Sequence, residues 1–187
     1  DDSWESEDNN TASNADVITT GRMYKGVISS VNDSVDYYKV TTSKQGYFTV
    51  QLGLADGEEP VGQTDGWRID IYDKNLQSIA AYNYIKSDFE TAEIPYPAGT
   101  YYIKISPTND YTNSVIPRSA YYLLVNDFED SLIEQESNND SASANDIVPG
   151  VGRWGMRQSD NDNDYYKFNV SNSGVFTVSL APRAGAD

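Results

Sequence analysis

Neither cysteine nor histidine occurs anywhere in the 187 residues. Their absence removes disulfides, thiolate nucleophiles, Ser-His-Asp triads and imidazole-based zinc sites together. It leaves the compartment open, because many exported bacterial proteins also lack cysteine. Cations are scarce: 13 Lys and Arg stand against 29 Asp and Glu, a net charge of −16. Nucleic acid and anionic membrane surfaces require clustered Lys and Arg, so neither is an expected partner. No apolar run approaches the roughly 20 residues of a membrane span, so membrane insertion is not expected. The opening "DDSW" does not read as a signal peptide and looks like a cut from something longer.

What the chain has in quantity is acid, asparagine and tyrosine. Fifteen Tyr, with 5 Phe and 3 Trp, are the large aromatics that fill sandwich cores. The acids cluster in a pattern that repeats. "ESEDNN" at 5–10 returns as "EQESNN" at 134–139, "DYYKV" at 36–40 as "DYYKF" at 164–168, and "GYFTVQL" at 46–52 as "GVFTVSL" at 174–180. A frayed acidic tail has no reason to reappear at the head of a second unit. The spacing is that of tandem domains, with a complete unit at 1–128 and a linker plus truncated copy at 129–187.

Period-two alternation dominates after residue 22 and predicts strands at 24–30, 36–42, 46–52, 67–73, 77–83, 90–96, 99–106 and 119–126. Turn residues separate them, as in "VNDS", "SKQG", "YDKN" and "YPAG". The expected fold class is all-β: an antiparallel β-sandwich of jelly-roll type. A short helical turn is expected at 12–18, echoed at 142–148. In the second copy strands are expected at 152–157, 164–170 and 174–180. Three strands bury little, so that fragment needs a covering surface or is partly mobile.

Glu5 and Glu7, one residue apart, lie on the same side of an extended segment. At about 4 Å two such charges repel by about 1 kcal/mol in water and about 4 at an effective dielectric near 20. If the turn holding Asp33 and Asp36 folds against them, four carboxylates converge and a cation must offset the repulsion. Calcium takes six to eight oxygens and mixes carboxylate, amide and backbone ligands, whereas magnesium demands a stricter octahedron. The second copy offers Glu134, Glu136, Asn138, Asn139 and Asp164, with Asn161 at the position of Asp33 and acids on either side of it. Weaker binding or a shifted ligand is expected there. "DNDNDYYKFNVS" from Asp160 is not an EF-hand loop, since Tyr165 stands where Gly is needed and Ser171 where Glu is needed. The competing reading makes these acids separate solvated residues or turn caps.

"E-x-E-x-N-N", then "D-x-x-D-Y-Y" some 25 residues on, then "G-x-F-T-V-x-L", resembles the bacterial pre-peptidase C-terminal domain, whose members include the collagen-binding domains of clostridial collagenases. The likeness covers the first unit, through "AGTYYIKI" and "AYYLLV", and the first half of the second. It implies a secreted or cell-surface calcium-binding β-sandwich without catalysis of its own, appended to enzymes, mostly peptidases, where it serves secretion, stability or substrate targeting. Its implied calcium ligands are Glu5, Glu7, Asn9, Asn10, Asp33 and Asp36, and in the second copy Glu134, Glu136, Asn138, Asn139 and Asp164. Two departures lower the charge of the sites: Asn10 and Asn139 stand where the collagenase form carries Asp, and Asn161 replaces an acid.

The expected partners are the neighbouring domains of a larger secreted protein and an extracellular polymer. Tyr84, Tyr96, Tyr101, Tyr111 and Tyr121 are the aromatic anchors considered for such a polymer, against the alternative that they pack the core. A polymer- or carbohydrate-binding module and a rigid stalk repeat of an adhesin are the other functional classes. Carboxylate-only catalysis is compatible with the composition, but acids beside asparagines suit a metal better than an acid/base pair. No enzymatic activity is expected.

Overall fold

The computed structural model describes residues 4–28, 33–54, 66–85, 87–108, 120–156 and 161–181, except the side chains of residues 54 and 84. Ten strands form the first unit: β1 (Asp16–Ile18), β2 (Met23–Val27), β3 (Asp36–Thr42), β4 (Gly46–Leu54), β5 (Trp67–Tyr72), β6 (Ser78–Ile85), β7 (Phe89–Glu90), β8 (Ile94–Tyr96), β9 (Gly99–Pro107) and β10 (Ala120–Glu129). One sheet has the order β1-β3-β9-β5-β6; the other runs β2-β10-β4-β7, with β8 also paired to β4. The all-β sandwich is as the sequence predicts, and its pairings are antiparallel except for β1, which lies parallel to β3.

Alternation drives the assembly. In β3, Asp36, Tyr38 and Val40 are buried while Tyr37 and Lys39 are half-exposed; in β10, Tyr121, Leu123 and Val125 are buried while Tyr122 and Leu124 are not. Inward residues of both sheets interdigitate around Trp67, Phe48, Leu52, Ile69, Ile71 and Ile103. Tyr96, Tyr101 and Tyr121 belong to this core: Trp67 and Tyr121 are 5.3 Å apart between ring centroids, Phe48 and Tyr96 5.1 Å, Tyr96 and Tyr101 5.6 Å. They are therefore packing residues and not exposed anchors. Tyr111 and the side chain of Tyr84 lie outside the described residues.

Two expectations are narrowed and one is corrected. Over 12–18 only Ala12–Asn14 is helical, a single 3-10 turn, and Asp16–Ile18 is a strand because Ile18 gains a core position beside Val40. At 142–148 the echo is likewise a turn leading into a strand, β11 (Asn145–Asp146), parallel to β12 (Tyr166–Lys167). The strand expected at 90–96 splits into β7 and β8, because the Thr91 hydroxyl accepts from the Val50 N–H at 3.0 Å and takes up a ladder bond of β4.

The second unit keeps the linker and the β11–β12 pair, but the described residues of 152–157 and 174–180 form no strand. Phe176, Val178 and Leu180 occupy the positions of Phe48, Val50 and Leu52, yet Leu180 is 99 % exposed where Leu52 is 1 %. In the first unit that segment is β4, held between β10 and β8; among the described residues of 131–181 there is no counterpart of either. Among the described residues no helix is long and apolar enough to cross a membrane.

Candidate metal centre

The first acidic stretch is stitched to the sandwich by backbone bonds. Glu5 N donates to Lys25 O at 2.9 Å on β2, and Tyr37 N of β3 donates to Asn9 O at 2.9 Å. The two ends are thus pinned to strands of different sheets, and the side chains between them are carried to one end of the core.

Glu5 sits at the centre. Its Oε1 accepts from Val27 N, and its Oε2 from the Tyr38 hydroxyl at 2.7 Å and Asn9 Nδ2 at 3.2 Å. Asp36, fully buried at the start of β3, accepts from the Tyr121 hydroxyl through Oδ2. The two tyrosine oxygens are themselves 2.7 Å apart. The chain Glu5, Tyr38, Tyr121, Asp36 therefore holds three short oxygen–oxygen contacts with only two hydroxyl hydrogens to fill them. A third proton on a carboxyl completes the chain in the absence of a cation. Burial, reinforced by Glu5 and Asp33, pushes Asp36 up to about 8. Glu7 is pushed up to about 6 by burial and by Asp33 and Glu5, and Glu5 is raised mainly by its own desolvation. The leading influences on these three acids are burial, neighbouring acids and hydrogen bonds, with no Lys or Arg among them. The fold brings Glu5, Glu7, Asp33 and Asp36 into one electrostatic neighbourhood.

Buried acceptors are nearly always hydrogen-bonded. Here Asn9 Oδ1, Asn10 Oδ1 and Asp36 Oδ1 are buried with no hydrogen-bond partner, as are Glu136 Oε1 and Asn138 Oδ1 in the second copy. All are hard oxygen acceptors on residues named from the sequence; Thr49 Oγ1 is similarly placed but far from either stretch in the chain. Orphaned oxygens beside mutually repelling carboxylates are the donor set that a hard divalent cation satisfies.

The second stretch repeats the backbone and glutamate contacts of the first, with Asp164 exposed where Asp36 is buried. Glu134 N donates to Trp154 O at 2.8 Å, and Tyr165 N to Asn138 O at 3.0 Å. Glu134 accepts from Met156 N, from Asn138 Nδ2 at 3.1 Å and from the Tyr166 hydroxyl at 2.7 Å. Oxygens of Glu134, Glu136 and Asp164 lie within 4.8 Å of one another. Burial first, then Asp162, Glu134 and Asp164, push Glu136 up to about 7. Asp164 is raised chiefly by burial. Asn139 departs from the pattern: its Oδ1 accepts from Asn163 N at 2.8 Å, clasping the loop. Asn161 is exposed and uses its carbonyl on Asn163 Nδ2 at 3.1 Å.

Sequence reasoning missed three features and left a fourth, which of the acids flanking Asn161 acts, undecided. Tyr38, Tyr121 and Tyr166 supply the hydroxyls that hold the carboxylates. Asp162, beside Asn161, is the acid that acts on Glu136 and Asp164. Asp16 accepts from Ser6 N at 2.7 Å and repels Glu7. Gly26 and its counterpart Gly155 leave room for the hydroxyls: a Cβ on Gly26 would collide with Tyr121 and Tyr38, and one on Gly155 would lie 2.7 Å from the Tyr166 hydroxyl. The only available signals were the doubled "DYYK" and the matching "KG" and "WG" steps.

No family model matches the chain, and no curated protein matches it. Two solved structures similar to it are the periplasmic inhibitor of g-type lysozyme PliG from Aeromonas hydrophila (14 % identity, TM-score 0.32, 61 % of this chain and 99 % of that one) and the carbohydrate-binding module CBM36 in complex with calcium and xylotriose (12 % identity, TM-score 0.29, 56 % and 87 %). The chain is also similar to the pre-peptidase C-terminal domain of a collagenase from Bacillus anthracis, at 17 % identity and a TM-score of 0.45 over 59 % of this chain and 93 % of that one.

Proposed function

We propose that the chain is a non-catalytic, calcium-binding accessory module of a secreted bacterial protein of the pre-peptidase C-terminal type, most simply a peptidase. The observation that carries this reading is the set of buried oxygens without hydrogen bonds on Asn9, Asn10, Asp36, Glu136 and Asn138, at the two repeated acidic stretches. Glu5, Glu7, Asn9, Asn10, Asp33 and Asp36 would hold one ion. Glu134, Glu136, Asn138 and Asp164 would hold a second, with Asp162 in place of the missing acid and Asn139 left to the loop. Calcium fits better than magnesium because the donors are numerous, mixed and partly backbone-tethered, and better than transition metals because no His or Cys is present.

The role is mechanical. Each ion ties the segment entering a sandwich to the start of its DYY strand, so it fixes how one domain follows the last. A ligand binding only the folded form adds about 2.7 kcal/mol when its free concentration is a hundred times Kd. Calorimetric titration with calcium, and thermal melting with calcium and with chelator, test the reading. Two sites of unequal affinity and a midpoint raised by about 10 °C are expected. Equal midpoints and no heat of binding would remove the assignment.

A further inference from the structure

The outer face of the sheet β1-β3-β9-β5-β6 carries a patch whose side chains are not those of the acidic stretches. Its inward residues, among them Tyr38, Val40, Ile103 and Ile71, fill the core, and those between them point outward. Register sets two rows across the face. In one, Tyr37 stands opposite Lys104 and Lys104 opposite Asp70; in the next, Lys39 stands opposite Tyr102 and Tyr102 opposite Tyr72. With strands about 4.8 Å apart, Tyr102 and Tyr72 are neighbours and Tyr37 lies a diagonal of about 7–8 Å from Tyr102. All three tyrosines and both lysines are half-exposed.

Asp70 pairs with two of the cations, Arg68 and Lys104, from beneath the surface. It is 3 % exposed, gripped through Nε and Nη2 of Arg68, with Lys104 Nζ at 3.9 Å. The patch thus sets three cations against one covered carboxylate, in a chain of net charge −16. Repulsion from the remaining acids is screened beyond about 8 Å at physiological salt, so the local field governs what docks. Tyrosine gives flat, amphipathic contact area at small entropic cost, and a lysine ammonium pairs with carboxylate by charge-assisted hydrogen bonds. A neutral polymer would give Lys39 and Lys104 nothing to pair with. A nucleic acid would find too few cations for its phosphates.

We propose that this face binds an extended carboxylated polysaccharide, with Tyr37, Tyr102 and Tyr72 stacking on sugar rings and Lys39 and Lys104 pairing with uronate carboxylates. The face borders the first carboxylate cluster at Tyr37, which follows Asp36 and whose N–H holds Asn9 O at 2.9 Å, but its five named side chains are none of the cluster's oxygen donors.

Affinity electrophoresis of the whole chain at fixed calcium, in gels containing hyaluronan, tests it. Retardation is expected, and it should fall steeply with added salt. Tyr102→Ala and Lys39→Gln should each weaken it by about tenfold at unchanged thermal midpoint, while Phe128→Ala on the outer face of the other sheet leaves it intact. Three results would overturn the proposal: no retardation by hyaluronan, equal retardation by neutral dextran or equal capture on insoluble collagen, or variants that bind as the parent does. Should Tyr102→Ala fail to fold, Lys39→Gln alone decides, since it alters no core residue.

Discussion

Asp36 bears the sharpest conflict in the molecule: a carboxylate with no exposed surface, one oxygen hydrogen-bonded to Tyr121 and the other to nothing. A neutral amide of the same shape relieves that conflict and removes a ligand charge. Asp36→Asn is therefore predicted to melt higher than the parent in chelator and to lose most of the calcium-induced rise. Melting both proteins with and without calcium checks the two signs, and a variant destabilised in chelator refutes the argument. Tyr38→Phe deletes the hydroxyl that reaches Glu5 at 2.7 Å. The loss of a hydrogen bond to a buried charged group is expected to cost about 1–3 kcal/mol, read as a lower midpoint in urea. The acids were legible at this scale because they recur in fixed order around asparagine. The hydroxyls were not, because the chain holds 15 tyrosines and nothing local marks Tyr121, 83 residues beyond Tyr38, as its neighbour.

At the scale of elements, the long strands were legible from alternation and the short ones were not. β3, β4, β9 and β10 each bury every second side chain, a pattern visible in the letters. β1 and β11 have only three and two residues and take their identity from a parallel partner more than 20 positions away. The expectation at 174–180 failed for the complementary reason. "GVFTVSL" has a strand's alternation, but alternation stabilises only when another surface covers the apolar side. Hydrogen exchange should separate the two kinds of segment. Amides of 175–180 are predicted to exchange as in an unfolded chain, while Asn145 and Tyr165, which donate to Tyr165 O and Asn138 O, are protected. Added calcium should increase protection at Tyr165 and leave 175–180 unchanged. Uniform protection across 161–181 would contradict this division.

For the whole molecule, the acids at the two stretches set the response to pH near neutrality, and the proposed calcium would abolish it. Without metal, Asp36 titrates near 8 when folded and near 3.8 in the free side chain, and Glu136 near 7 against 4.5. Between roughly pH 4 and 8 the folded state then binds more protons than the unfolded chain, so stability falls as pH rises. On the proposed function, bound calcium would hold the same carboxylates ionised, their folded pKa values would lie below the unfolded 3.8 and 4.5, and stability would fall only as pH drops below about 4.5. Midpoints measured from pH 5 to 8 should therefore slope downward in chelator and stay level in saturating calcium. Parallel slopes would show that these carboxylates take no part in binding the ion.

The order of acids, asparagines and alternating apolar residues, read directly from the letters, was enough to determine an all-β sandwich and an oxygen-rich acidic stretch that recurs once along the chain. Periodicity and charge spacing are local properties that survive in an extended chain. Only the tertiary structure decided which oxygens face one another, that Tyr121 and Tyr38 hold the first pair, that Asn139 leaves the second, and that Tyr37, Tyr102 and Tyr72 share one outer face with Lys39 and Lys104. Those relations join strands far apart in sequence, and they exist because pairing register and core burial bring together side chains that no local rule connects.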